Sequence, residues 1–221
     1  MSTETLTVRT ATLDDWSKRG ARGLRINLYG DDKGAAGGRA GGPERPGLRE
    51  RFQALVDIAP AGWHIEVIAP MPILEEHADL LAGSRVPVVI DHYGLPVSRE
   101  VRLKANTTAA PVLELLRLPH VWMKLSAPYR AIDGPGSDPC ATMPPAEWLR
   151  AYLQTAPERL IWGSDWPHTP PHEASRHGEA PDPFRPIDYG RLFGDFLMAV
   201  SEPRALEAIL AANPARLYGF A

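Results

Sequence analysis

The sequence contains a single cysteine, Cys140, among its 221 residues, so no intramolecular disulfide can form. Chains without disulfides are typical of the reducing cytoplasm, and we therefore expect a cytoplasmic protein. The sequence also lacks any apolar run of the ~20 residues that a membrane-spanning helix needs. Its first six residues lack the apolar core of a signal peptide. We expect no membrane partner.

An excess of positive charge is lacking as well. The chain has 24 Lys and Arg against 27 Asp and Glu, a formal net charge of -3, and its basic residues are scattered. Nucleic-acid backbones attract clustered basic side chains, so we expect no nucleic-acid partner. The length suffices to bury a sizeable core, and we predict one domain over residues 1–221.

Short apolar segments alternate with amphipathic ones along the chain. Strands are predicted at residues 23–28, 63–68, 86–91, 121–125 and 160–163, with a weaker one at 6–9. Helices are predicted at residues 49–58, 72–82, 111–118, 144–153, 189–200 and 203–212. This alternation predicts an α/β fold with a parallel sheet, and both an open doubly wound sheet and a closed barrel fit it.

The long loops favour the barrel. Irregular stretches at residues 30–47, 130–143 and 166–187 all follow predicted strands. They would lie at the carboxyl ends of the strands, which is the functional face of a β/α barrel. The first stretch is rich in glycine but lacks the Gly-Lys-Ser/Thr ending of a phosphate loop, so we predict a lid or a linker there.

Five successive predicted strands each carry a polar side chain that could face the same way. These residues are Arg25, Glu66, His92, Lys124 and Asp165. Strict alternation puts His92 in phase with Val88 and Ile90. Buried charges are costly unless they are paired, so the set predicts a converging site. The alternative is an internal salt-bridge network that only stabilises the fold.

Several segments together carry a family resemblance. The two most specific are Ile161-Trp162-Gly163-Ser164-Asp165-Trp166-Pro167-His168 and the closing Asn213-Pro214-Ala215-Arg216-Leu217-Tyr218-Gly219-Phe220. Three others are Arg22-Gly23-Leu24-Arg25-Ile26-Asn27, Pro87-Val88-Val89-Ile90-Asp91-His92 and Lys124-Leu125-Ser126-Ala127-Pro128-Tyr129-Arg130. From about Thr10 onward the sequence resembles the amidohydrolase-2 group of the amidohydrolase superfamily, in particular the 2-pyrone-4,6-dicarboxylate lactonase-like hydrolases.

The resemblance implies a distorted (β/α)8 barrel of the TIM type. It also implies hydrolysis of a lactone or a related ester, and less often decarboxylation or amide hydrolysis. Asp165 matches the family aspartate at the end of strand eight, which takes a proton from the attacking water and passes it to the leaving group. His92 matches the family histidine at the end of strand six. Such a pair could supply the base and the electrophile that hydrolysis needs.

The resemblance also implies residues that bind the substrate. Arg25 and Arg130 match positions that can hold a substrate carboxylate, a role that suits the guanidinium fork. Lys124, Tyr129 and His168 are further candidates for lining the site. The expected partner is a small-molecule carboxylate or lactone. The cofactor stays open between none and one divalent metal, such as zinc, for which His92 and Asp165 are candidate ligands.

The sequence departs from the family pattern in two places. The family begins with a His-x-His pair at the end of strand one, and none occurs here. The seven histidines are His64, His77, His92, His120, His168, His172 and His177. The five firmly predicted strands match the family's strands four to eight, and residues 6–9 would remain from strand three. In addition, Leu95 stands where the dicarboxylate lactonase pattern has an arginine, which argues against that substrate.

We therefore expect an N-terminally truncated barrel that has about strands three to eight. Open sheet edges tend to pair with other chains, so we expect association, such as a homo-oligomer. Without His-x-His a metal site of His92 and Asp165 would be incomplete. Two alternatives to a lactonase-like hydrolase stay open, namely a non-catalytic barrel remnant or subunit, and a zinc-dependent decarboxylase on the same fold.

Overall fold

Five short apolar strands form one parallel sheet in the computed structural model, which describes residues 10–27, 48–95, 110–131, 140–144, 146–169 and 183–220. The strands are β1 (Gly23–Asn27), β2 (His64–Ile68), β3 (Val88–Ile90), β4 (Val121–Leu125) and β5 (Leu160–Trp162). Each lies within a predicted strand. The predicted strand at 6–9, the whole glycine-rich stretch at 30–47, His172 and His177 lie outside the described residues.

The order of the strands decides between the two architectures that the alternation allowed. Neighbouring strands follow chain order, β1-β2-β3-β4-β5, and every pair is parallel. A doubly wound sheet reverses its order at a switch point, whereas a barrel winds steadily in one direction. The described strands therefore form a barrel-type sheet.

Helices connect and cover the strands. They are α1 (Thr10–Lys18), α2 (Leu48–Ile58), α3 (Met71–Glu76), α4 (Ala78–Ala82), α5 (Ala110–Leu116), α6 (Pro128–Ala131), α7 (Ala146–Thr155), α8 (Tyr189–Val200), α9 (Pro203–Glu207) and α10 (Asn213–Tyr218). In α8 the apolar residues Leu192, Phe196 and Val200 recur every four positions and are buried. The carboxylate of Asp188 caps this helix by accepting from the Arg191 amide.

Three helical features differ from the predictions. The predicted helix at 72–82 is divided into α3 and α4 at His77, whose φ of -113° interrupts the helical backbone. The last predicted helix does not stop at residue 212 but continues through a π-helical turn, Ala208–Ala212, into α10. Pro214 in α10 has no amide proton to donate, and such turns accommodate the missing bond. The helices α1 and α6 were not predicted.

The two faces of the sheet have different surroundings. One face carries Ile26, Ile65, Val67, Val88, Ile90, Val121, Met123, Leu125 and Leu160, which pack against the helices in the main core. The other, inner face carries a small apolar cluster of Val89, Trp122, Ile161 and Leu217, with Tyr218 against it. Leu217 and Tyr218 belong to α10, so the C-terminal helix packs on the inner face of the sheet. Polar side chains occupy the rest of that face.

No helix among the described residues is long and apolar enough to span a bilayer.

Candidate active site

The five polar residues predicted to converge form two groups. Arg25, Glu66 and Lys124 lie in an ion-pair network with Asp91, which the prediction left out. Lys124 Nζ lies 3.0 Å from Asp91 Oδ1, and Arg25 Nη2 lies 3.5 Å from Asp91 Oδ2. Both cations also contact the Glu66 carboxylate. Two cations thus balance two buried carboxylates, which agrees with the salt-bridge alternative for this part of the set.

Strand alternation does not explain the inward position of His92, because Val88 and Ile90, with which it is in phase, face the main core. The register aligns Glu66 with Val89, so Asp91 is the residue that shares the inner face with Glu66. His92 nevertheless reaches the inner face of the sheet because the chain leaves β3 through a left-handed turn. The φ angles of His92, Tyr93 and Leu95 are 52°, 56° and 37°. The alternation of side chains between two faces does not hold through such a turn. Applied to β3 itself, alternation puts Asp91 on the same face as Val89 and would have found it.

The second group centres on Asp165, just beyond β5. Its Oδ2 accepts hydrogen bonds from the Tyr129 hydroxyl at 2.7 Å and from Arg130 Nε at 2.9 Å. Its Oδ1 lies 3.7 Å from His92 Nε2. One carboxylate oxygen is therefore held by two donors, while the other faces His92.

Charge and burial fix the protonation of this pair. Burial alone would raise the pKa of Asp165, but its interactions with His92, the Arg130 guanidinium and the Tyr129 hydroxyl outweigh burial and hold the pKa below its usual value. Burial lowers the pKa of His92, although the charges of Asp91 and Asp165 oppose it. At neutral pH the site therefore contains an aspartate anion and a neutral imidazole.

Ser126 orients the imidazole. Its hydroxyl lies 2.8 Å from His92 Nδ1, and Ser126 is buried. We assign the Ser126 hydroxyl as the donor and Nδ1 as the acceptor, because a buried hydroxyl rarely leaves its proton unused. His92 then carries its proton on Nε2, the nitrogen that faces Asp165. Ser126 was not predicted as a site residue, although it follows Lys124 by two positions and so shares the inner face.

The backbone at the site is strained at three strand ends. After β3 the strained residues include His92. After β4 Ala127 has a φ of 48°, and after β5 Asp165 and His168 have φ of 58° and 62°. Residues other than glycine adopt this left-handed region at a cost, and such residues cluster at functional sites. The strain is thus concentrated where the polar side chains meet.

A cavity of about 120 Å³ contains both His92 and Asp165 in its lining. The other lining residues are Arg25, Asn27, Ile68, Leu95, Arg130 and Thr169. A larger cavity of about 310 Å³ lies on the other side of Arg25 and is lined by Arg22, His64, Glu66 and Tyr218, among others. We take the smaller cavity as the candidate active site because it alone of the two contains both Asp165 and His92.

The predicted substrate-binding residues occupy different places around this cavity. Arg25 lines it with a side chain that is 54% exposed. Arg130 lines it too, but its Nη2 also donates to the backbone oxygen and the hydroxyl of Thr169, at 3.0 and 2.6 Å. Lys124 is held in the ion-pair network, and neither Tyr129 nor His168 is in the described lining. No sequence signal pointed to Thr169.

The described residues do not by themselves fit a divalent metal. Among them no three His, Cys, Asp or Glu side chains lie close enough to hold an ion. His92 and Asp165 would be two ligands, whereas a catalytic zinc takes about three from the protein. The Arg130 guanidinium on the Asp165 carboxylate would also repel a cation. The metal-ligand role of the pair stays a prediction, and no step below passes through a metal.

Comparison with known proteins identifies relatives over most of the chain. The family profile described as Amidohydrolase, Amidohydro_2, matches residues 8–220. The 4-sulfomuconolactone hydrolase of Rhizobium radiobacter is 34% identical over 160 residues, which are 71% of this chain and 48% of that protein. The 2-pyrone-4,6-dicarboxylate hydrolase of Comamonas testosteroni is 29% identical over 168 residues, 73% of this chain and 50% of its own length. The chain thus spans about half the length of these relatives.

Solved structures share the fold. A candidate 2-pyrone-4,6-dicarboxylic acid hydrolase from Pseudomonas putida matches with a TM-score of 0.67 and 27% identity, over 96% of this chain and 68% of that one. An amidohydrolase from Burkholderia multivorans with bound zinc matches with a TM-score of 0.62 over 98% of this chain and 71% of that one. At 20% identity the second shows the fold alone. These likenesses confirm the barrel-type α/β class.

Proposed function

The chain belongs to the amidohydrolase family, and from that premise we propose that it hydrolyses a small lactone or carboxylate-bearing ester with Asp165 as the general base. One observation carries the proposal. Two donors hold Asp165 Oδ2, which leaves Oδ1 beside His92 at a cavity of about 120 Å³. A base must be ionised and must reach the attacking water, and the lowered pKa of Asp165 and its place in the cavity lining support this role.

The chemistry follows from the protonation of the two side chains. Asp165 Oδ1 accepts a proton from water as the water oxygen bonds to the carbonyl carbon. His92 donates its Nε2 proton in a hydrogen bond to the carbonyl oxygen, where negative charge develops. When the C–O bond of the ring breaks, the leaving oxygen takes the proton back from Asp165. The product is a hydroxy acid, and both side chains return to their starting forms.

Arg25 is the proposed anchor for the acid group of the substrate. Its side chain is half exposed and lines the cavity, although its Nη2 also contacts Glu66 and Asp91, and the guanidinium fork suits a carboxylate or sulfonate. Arg130 is a second proposed anchor, although two of its nitrogens already bind Asp165 and Thr169. Ile68 and Leu95 form an apolar part of the lining. The named relatives act on small lactones, and the proposed substrate is a lactone with an acid group on one side.

A non-catalytic subunit is the second candidate function. It is favoured by the absence of a His-x-His pair anywhere in the sequence. A zinc-dependent decarboxylase would need metal ligands that the described residues do not supply.

A substrate panel separates these functions. The purified 221-residue chain is incubated with 4-sulfomuconolactone, 2-pyrone-4,6-dicarboxylate, neutral lactones of similar size and open-chain carboxylates, each with and without added zinc. Ring opening of an acidic lactone in preference to the neutral ones supports the proposal. Release of carbon dioxide that depends on zinc would favour the decarboxylase, and binding without turnover would favour the subunit.

A further inference from the structure

The hydroxyl of Tyr129 joins Asp165 to a second histidine. It lies 2.7 Å from Asp165 Oδ2 and 3.0 Å from His168 Nδ1. Tyr129 has 0% of its surface exposed, and it is not among the residues that line the cavity. A side chain so enclosed cannot touch a substrate there. The role in substrate binding that the family resemblance implied for Tyr129 therefore does not fit its position.

The chemistry of the three groups fixes the direction of both hydrogen bonds. An ionised carboxylate only accepts, so the phenol must donate its single proton to Asp165. The phenol oxygen is then an acceptor toward His168, and His168 must carry a proton on Nδ1. Burial, the hydrogen bond to Asp165 and its charge raise the pKa of Tyr129, so the phenol keeps its proton. Burial lowers the pKa of His168, so its ring is neutral with a bare Nε2.

The tyrosine ring is held firmly in place. The guanidinium carbon of Arg185 lies 5.1 Å from the ring centre, and that of Arg130 lies 5.8 Å from it. These are distances at which a cation attracts an aromatic ring. The His168 ring meets the Tyr129 ring edge-on at 6.0 Å. The main chain of His168 is tied as well, since its amide donates to the Asp165 carbonyl at 2.8 Å.

We propose that Tyr129 is a positioning residue: it orients the Asp165 carboxylate so that Oδ1 faces the cavity, and it holds His168 in the Nδ1–H tautomer. The first half rests on the proposed function, because it gives Tyr129 a part in the work of Asp165. The second half is a property of the hydrogen-bond chain and holds without turnover. Asp165, Tyr129 and His168 thus act as one rigid unit on the far side of the base from the substrate.

The test compares Tyr129→Phe with Tyr152→Phe. Tyr152 is equally buried, and its hydroxyl donates to the Tyr93 carbonyl at 2.9 Å. Each variant loses one buried phenol hydroxyl, but only one loss touches the proposed unit. Two measurements are made on each, the tautomer of His168 by ¹⁵N NMR and the values of kcat and KM on the best acidic lactone of the panel. The His168 signal is assigned with a His168→Gln variant.

We expect the wild-type chain to show His168 as the Nδ1–H form and Tyr129→Phe to lose that form. In the Tyr129→Phe variant kcat should fall by about 10- to 100-fold while KM changes by less than about twofold, because the group acts through the base and not on the substrate. Tyr152→Phe should leave the tautomer and kcat unchanged.

Two results would overturn the proposal. One is a wild-type His168 protonated on Nε2, which needs no variant and no activity. The other is a Tyr129→Phe variant with a raised KM and an unchanged kcat, which would return Tyr129 to substrate binding. If the wild-type chain opens no lactone, the proposed function fails, while the NMR comparison still decides the hydrogen-bond chain.

Discussion

His64 is a buried ionisable residue outside the candidate site. Its Nδ1 has no hydrogen-bond partner among the described residues. Burial and the charge of Lys124 lower the pKa of His64 from 6.5 to about 4. In the unfolded chain the same ring would take up a proton near pH 6.5. Between these values the unfolded state binds more protons than the folded state, so stability falls as the pH decreases.

We expect the free energy of unfolding to decrease by up to about 3 kcal/mol from this residue as pH falls from about 6.5 to about 4. His64→Gln should flatten the pH dependence over that window, because glutamine does not titrate. Urea unfolding at several pH values measures the effect. The control is His77→Gln, which changes a half-buried histidine between α3 and α4. Equal pH slopes for the wild-type chain and His64→Gln would contradict the assignment.

The site residues differ in how far they could be predicted. Arg25, Glu66 and Lys124 lie within strands, where alternation applies, and all three face inward together. Asp165 and His92 lie beyond strand ends, where the left-handed backbone directs the side chains. Alternation included both in the converging set and the family resemblance implied their roles, but alternation does not set the direction of a side chain in a left-handed turn. The five residues divide into an ion-pair network and a candidate site according to the distances between their side chains, and alternation does not predict those distances.

Among the helices, α10 has an unusual attachment to the sheet. The Asn213 side-chain amide donates to the carbonyls of Pro157 and Leu160, both at 2.8 Å, and Asn213 is only 2% exposed. One buried side chain therefore ties the first turn of α10 to the start of β5. Because Asp165 follows β5 closely, this tie also supports the position of Asp165.

Removal of this tie should be costly. Asn213→Ala leaves two buried carbonyls without the donor, and we expect a loss of about 2 to 3 kcal/mol in the free energy of unfolding. Asn213→Asp should cost more, since a carboxylate would face both carbonyls. Chemical denaturation gives the values, and Gln154→Ala on the exposed side of α7 is the matched control. A loss no larger than that of the control would show that the two hydrogen bonds contribute little.

Sequence patterns predicted elements better than their ends. Residues 189–200 were predicted as a helix and form α8 with the same bounds, because its apolar period and its Asp188 cap agree. The helix predicted at 203–212 was wrong only in ending too early, since a π-helical turn before Pro214 lets the chain continue into α10. Apolar periodicity does not predict a π-helical turn, because the spacing of apolar residues in α10 is the same as in the helix before it.

In the whole molecule, the sheet ends in strands that have one described neighbour each. The strand β1 pairs with β2, and β5 pairs with β4. Parallel strands are normally covered on both edges or closed into a barrel, because an unpaired edge attracts other strands. Alternation of strands and helices predicted this sheet, but periodicity says nothing about what covers its edges.

We expect the purified chain to associate in solution. Pairing between the sheet edges of two chains would bury backbone groups that otherwise face water. We therefore expect the association to persist on dilution. Size-exclusion chromatography with light scattering over a concentration series gives the mass. A single species at the mass of one chain, stable over the whole series, would contradict this expectation.

Asp165 is the proposed base of a lactone hydrolase, and its substitution by asparagine tests this role most directly. Asp165→Asn keeps the shape of the side chain and removes its negative charge. Asp57→Asn is the control, because Asp57 lies on the surface, 3.2 Å from Arg85. With the best lactone of the panel, we predict that Asp165→Asn lowers kcat by at least about a hundredfold, while Asp57→Asn matches the wild-type chain. Wild-type turnover by the Asp165→Asn variant would contradict the account.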